Sequence, residues 1–157
     1  MTVTPAYAAT TLLTAAVGTL VFAMFFVTRT DNLVWATLGG VLAWASYLAL
    51  SFLQVNPYLA YVVASLLLTV WAEVMGRLRQ CPTTVFIVVA AIPLFPGRLL
   101  FKTMLHAARF EWRDFASTGL ETLVLACCIA AGVLITTTVF KACARANELR
   151  KAGKKRP

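Results

Sequence analysis

The chain is 157 residues long, 61% hydrophobic and 13% charged, with a formal net charge of +8. A soluble domain is about 45–50% apolar and about 25% charged, so these proportions exclude an ordinary water-coated globule and imply an integral membrane protein. The positive charge does not mark a nucleic-acid binder. Seven of the fourteen basic residues, Lys141, Arg145, Arg150, Lys151, Lys154, Lys155 and Arg156, gather at the C-terminus, where a polybasic stretch after an apolar run is an orientation signal drawn to the cytoplasmic leaflet.

In chain order, the apolar runs predict an all-α membrane protein of about five transmembrane helices in one domain, residues 1–140, followed by a basic cytoplasmic tail, 141–157. The first run covers about 5–27 and is too long for a signal-peptide core, and no basic segment precedes it. "TRTDN" follows, with Thr30 or Asp31 placed to cap a second helix over about 33–53. Asn56 and Pro57 then supply an N-cap and a first-turn proline for a third helix over about 57–75. "GRLRQCP" reads as a basic loop, and a fourth segment occupies about 83–108. The charged connector "RFEWRDF" leads to a fifth helix over about 117–140. Stripes of small residues, Thr11/Ala15/Thr19/Ala23, Ala36/Gly40, Gly39/Ala43 and Cys128/Gly132/Thr136, mark faces where helices approach closely. If the fourth segment crosses fully, Arg29, Arg77, Arg79 and the tail share one side, which places the N-terminus outside and the C-terminus inside.

The fourth segment breaks its own pattern. "AAIPLFPGRLLFKTMLH" carries Pro93, Pro96 and Gly97 within five residues, and Arg98, Lys102 and His106 follow at i, i+4, i+8. Each proline removes a backbone donor, and Gly97 is expected to supply an unusual φ. Membranes tolerate such backbone only where it faces protein or a wet cavity, and discontinuous helices line transporter sites. The unpaired N–H groups beginning the second half suit a carboxylate. Arg98 and Lys102 are therefore candidate substrate-binding residues beside Pro93, Pro96 and Gly97. The competing reading is an interfacial half-helix whose cations snorkel to headgroups.

The stretch "VFIVVAAIPLFPG" and the helix after it resemble the proline-glycine motif of the threonine/serine exporter family, and the chain resembles that family's small membrane subunit. It is similar to the small component of a two-component succinate exporter. The resemblance implies a subunit of a secondary exporter in a bacterial inner membrane, with a larger membrane partner from the same family. Threonine, serine or a dicarboxylate such as succinate would be the cargo. A homo-oligomer, or an accessory subunit that stabilises a transporting partner, are the other assemblies it admits. Where relatives are expected to carry a small polar residue and a tyrosine after the glycine, Leu99 and Phe101 stand here.

Two intramembrane carboxylates complete the candidate set. Glu73 lies four residues before Arg77, a spacing for an ion pair or a proton-coupling site. Glu121, near the start of the fifth helix, is placed either to neutralise Arg98 or Lys102 or to carry a coupling proton. The four cysteines form no C-x-x-C pair, and one histidine is too few for a zinc site by itself. No hydrolytic triad, phosphate loop or cofactor motif is present, which argues against an enzyme.

Overall fold

A computed structural model describes residues 5–26 and 30–154. It is all-helical among those residues: α1 Pro5–Phe26, α2 Thr30–Phe52, α3 Pro57–Arg79, α4 Thr83–Ala91 with a 3-10 turn over Ile92–Leu94, α5 Gly97–Ala108 and α6 Trp112–Lys154. Four helices are long and apolar enough to cross a membrane, and a fifth crossing is made if α4 and α5, bent by 62°, count as one.

The expected all-helical architecture is found, with helix limits that differ from the apolar runs. α2 already begins at Thr30, three residues before the expected start at about 33. The helix expected to stop near residue 75 runs to Arg79, so most of the anticipated basic loop is α3's last turn. The connector is shorter than expected, because α6 starts at Trp112. The tail, expected as a separate segment, continues the last helix to Lys154; at about 1.5 Å per residue its 43 residues run well past the apolar span. Lysine, arginine, alanine and glutamate are good helix formers, and no proline interrupts them before Pro157. The proposed capping by Thr30 or Asp31 involves side chains outside the described residues. Asn56 caps as expected: its Oδ1 accepts from the Tyr58 amide at 3.1 Å, with Pro57 in the first turn.

Three helices end in the same way without glycine. Gln54, Gln80 and Phe110 take positive φ of 57°, 51° and 59°. The following amide then reaches back five residues, Val55 to Leu50 at 3.2 Å, Cys81 to Gly76 at 3.1 Å and Glu111 to His106 at 3.0 Å. These bonds satisfy carbonyls that a helix end leaves open, at a cost of about 1–2 kcal/mol for each non-glycine residue held left-handed.

The core is a four-element bundle in which α2 packs on α1 and α3, and α4 lies against α1, α2 and α3. Ala23, Ala36, Ala72, Met75, Phe86 and Val89 fill one end, and Ala43, Ala64, Leu68, Ala90 and Leu94 fill the other. So many alanines reflect the need of apolar helices to approach closely where lipid supplies no hydrophobic drive. The small-residue stripes do this: a Cβ on Gly40 would meet Thr19 Cγ2 at 2.6 Å, and one on Gly132 would collide with Ser65 Oγ. Buried hydroxyls close onto their own helix, Thr19 to the Ala15 carbonyl at 2.6 Å and Thr69 to Ser65 at 2.7 Å. Trp71 Nε1 donates to the Trp35 carbonyl at 3.1 Å, joining α3 to α2.

Among the described residues, one buried side-chain donor has no hydrogen-bond partner. Trp44 Nε1 is enclosed beside a row of rings, with Trp44–Tyr47 at 5.1 Å and Tyr47–Tyr61 at 4.7 Å between centroids. An enclosed N–H without an acceptor costs about 1–3 kcal/mol. Trp44→Phe is therefore expected to lower the thermal midpoint less than Trp71→Phe, which makes the same change in volume but loses the bond to the Trp35 carbonyl; an equal or larger drop at Trp44 would contradict the unpaired donor.

Candidate functional site

The break is built by the prolines. Beyond Ala91 the chain tightens into the 3-10 turn carrying Pro93, closed by the Phe95 amide on the Ile92 carbonyl at 3.2 Å. Phe95 is extended, and Pro96 sits at φ −76°, ψ 52°, the inverse γ-turn region. The Gly97 amide accordingly reaches the Phe95 carbonyl two residues back, at 2.8 Å. Gly97 itself has no positive φ, and a Cβ there would meet nothing within 4 Å. The expectation that Gly97 supplies an unusual φ is thus corrected: the turn is centred on Pro96, whose ring fixes φ near the value the turn requires.

This geometry also changes the account of the helix start. Pro96 has no N–H, Gly97 donates to Phe95, and Leu99 donates to the Pro96 carbonyl at 3.0 Å. Of the amides opening α5, only that of Arg98 makes no such turn bond. The anion-attracting end is narrower than the sequence suggests, and it coincides with the residue carrying the guanidinium.

Leu94 and Pro96 are buried while Gly97, Arg98 and Lys102 are exposed. The break thus marks a boundary: the chain leaves the bundle at Pro96, and α5 turns onto α6, its principal packing partner. No α5 residue is buried. Thr103 and Thr122 meet with hydroxyl oxygens 3.5 Å apart, and a Cβ on Gly119 would touch Thr103 at 3.4 Å. Lys102 and Glu121 each precede a threonine of that contact, which puts them at one height on the α5–α6 hairpin. Among the described residues no ion pair joins Glu121 to Lys102 or Arg98, and all three side chains are exposed. The structure brings the basic pair and the carboxylate onto one hairpin without the neutralising contact.

Glu73 stands apart from this group. It is buried on α3, with a carboxylate oxygen 3.8 Å from Arg77 Nη2. Arg77 also donates to the Phe140 carbonyl at 3.4 Å and lies 5.0 Å over the Phe140 ring. The i,i+4 pair read from sequence is therefore present, and it ties α3 to α6. That tie explains why α3 outruns its apolar stretch.

Sequence reasoning missed a polar cluster at the other end of α5. His106 Nδ1 lies 2.6 Å from Glu111 Oε2, and Asp114 is the third member of the group. The local signal was the lone histidine; what it did not reveal was the left-handed Phe110 that folds Glu111 back beneath it.

A chain of four to five candidate membrane helices, with a bent helix pair broken by two prolines and cations just past the break, has the kind of discontinuous helix that lines binding sites in transporters. The comparison with known families agrees. The model of the threonine/serine exporter family, ThrE, matches residues 11–139, and the chain belongs to that family. No curated protein and no solved structure matches it.

Proposed function

We propose that this chain is the membrane subunit of a secondary exporter for small carboxylate-bearing metabolites, threonine and serine or a dicarboxylate such as succinate, and that it works with a larger partner of the same family. The observation that carries the reading is the juxtaposition at Pro96: the buried chain ends there, and the first turn beyond offers an open amide and an unpaired guanidinium on the same residue, Arg98. A carboxylate takes two hydrogen bonds there, one from each group. Lys102, one turn on, extends the positive face toward a second carboxylate. Glu121, unpaired at the height of Lys102, is the proton-coupling group, whereas Glu73 serves the α3–α6 tie. The N-terminus lies outside the inner membrane and the basic tail in the cytoplasm, where the tail's charge meets anionic lipid. The bent α4–α5 segment rocks against α6 to alternate access.

A hydrogen bond to a charged group is worth about 1.5–3 kcal/mol. Arg98→Gln is expected to lower kcat/KM for efflux by roughly 10- to 100-fold. Membrane insertion and partner association should remain at wild-type levels, as measured by co-purification. Normal efflux by this variant would remove Arg98 from the site. Lost assembly with unchanged substrate preference would favour the accessory-subunit reading instead.

A further inference from the structure

The α5–α6 corner carries a ligand set that the export reading does not use. His106 lies in the last turn of α5, Glu111 immediately precedes α6 and Asp114 lies in its first turn. The Glu111 amide bond to the His106 carbonyl, made possible by Phe110 at φ 59°, fixes the approach of the backbones. One imidazole nitrogen and one oxygen from each carboxylate then lie within 4.8 Å of one another. His106 is partly enclosed and both acids are exposed.

Two carboxylates this close repel unless a cation stands between them. The nearby cations do not take that place: among the described residues Arg109 and Arg113 form no ion pair with either acid, and the charge contact at the corner is His106 with Glu111. Among the described residues Asp114 makes no ion pair; its backbone carbonyl accepts from Ser117 and Thr118. The imidazole distinguishes this group from an ordinary acidic patch. It adds a borderline-soft nitrogen to two hard oxygens, a set that suits zinc-type ions better than calcium or magnesium.

We propose that His106, Glu111 and Asp114 bind a divalent transition-metal ion of the zinc class. With metal–ligand bonds of about 2.0–2.2 Å, the three donor atoms would stand about 3.3 Å apart. The His106–Glu111 pair, at 2.6 Å, would open slightly, and the Asp114 carboxylate, whose nearer oxygen lies within 4.8 Å of both, would draw in. The remaining coordination positions face solvent and take water, so the site is an exchangeable one. The bound ion staples the end of α5 to the start of α6.

The test is a titration of the purified full chain in lipid nanodiscs with Zn²⁺ against a chromophoric chelator. The expected result is one equivalent bound per chain, weakened about tenfold or more by His106→Ala and by the near-isosteric Asp114→Asn. Cys127→Ser/Cys128→Ser should bind as the wild type does. No stoichiometric binding, equal binding by both ligand variants, or loss of binding in the cysteine variant would overturn the proposal. None of these outcomes depends on the export activity.

Discussion

Gly132→Leu is expected to separate α6 from α3. A Cβ at position 132 would collide with Ser65 Oγ and lie 3.0 Å from Ser65 Cβ and 3.0 Å from the Val62 carbonyl oxygen. Two of those contacts are with atoms fixed to the α3 backbone, so rotating Ser65 relieves only the first. Alanine requires the Ser65 hydroxyl to rotate and the two neighbours at 3.0 Å to give by a few tenths of an ångström, and leucine adds three more carbons at the same point. Overpacking of a fixed interface typically costs about 1–3 kcal/mol, and leucine here belongs at or above the upper end. The Arg77 contacts with Phe140, two turns along the same interface, would be strained with it. The thermal midpoint of the purified chain should fall sharply for Gly132→Leu and less for Gly132→Ala. Adding Ser65→Gly to Gly132→Ala should restore most of the loss, because it removes both Ser65 contacts. An unchanged midpoint in Gly132→Leu would mean that α6 does not cross α3 there.

The second large effect is expected at the break. Pro93→Ala/Pro96→Ala returns two backbone donors and removes the fixed φ at the centre of the γ-turn. Thr83 to Ala108 can then run as one straight helix, which erases the 62° bend and carries α5 away from α6. Cysteines replacing Thr103 and Thr122, whose hydroxyls are 3.5 Å apart, report this in a background lacking the native thiols. They should cross-link readily with the prolines present and poorly without them. Efflux should fall at least about tenfold in parallel if the proposed role of Arg98 holds, since the displaced guanidinium would leave the proposed site. Efficient cross-linking without the prolines would show that packing on α6, and not proline, holds the bend.

Much of this architecture was readable in the sequence, and the failures have physical causes. Apolar runs located the helices because a bilayer demands long uninterrupted stretches. Asn56–Pro57 located a helix start because capping is local. Helix ends were harder. α3 passes residue 75 because Arg77 finds Glu73 and Phe140, and Phe140 is 63 positions away in sequence. The turn at Phe110 was invisible because glycine usually occupies that conformation, and a phenylalanine there signals nothing. At the candidate site the break was plain from Pro93 and Pro96, but its geometry was not. Gly97 looked like the hinge, yet Pro96 forms the turn, which in turn occupies the Gly97 amide. Pairing of Glu121 with Arg98 or Lys102 followed from charge alone. The hairpin sets Lys102 and Glu121 level without joining them, an outcome decided by the rotation of two helices about their contact at Thr103 and Thr122.

The most direct test is efflux from vesicles preloaded with labelled threonine, serine and succinate together, containing this chain with the proposed larger family partner or either one alone. The expected result is efflux of at least one of these carboxylates only when both chains are present, lowered at least about tenfold by Pro93→Ala/Pro96→Ala in an intact complex. Efflux by the partner alone at the full rate would contradict it.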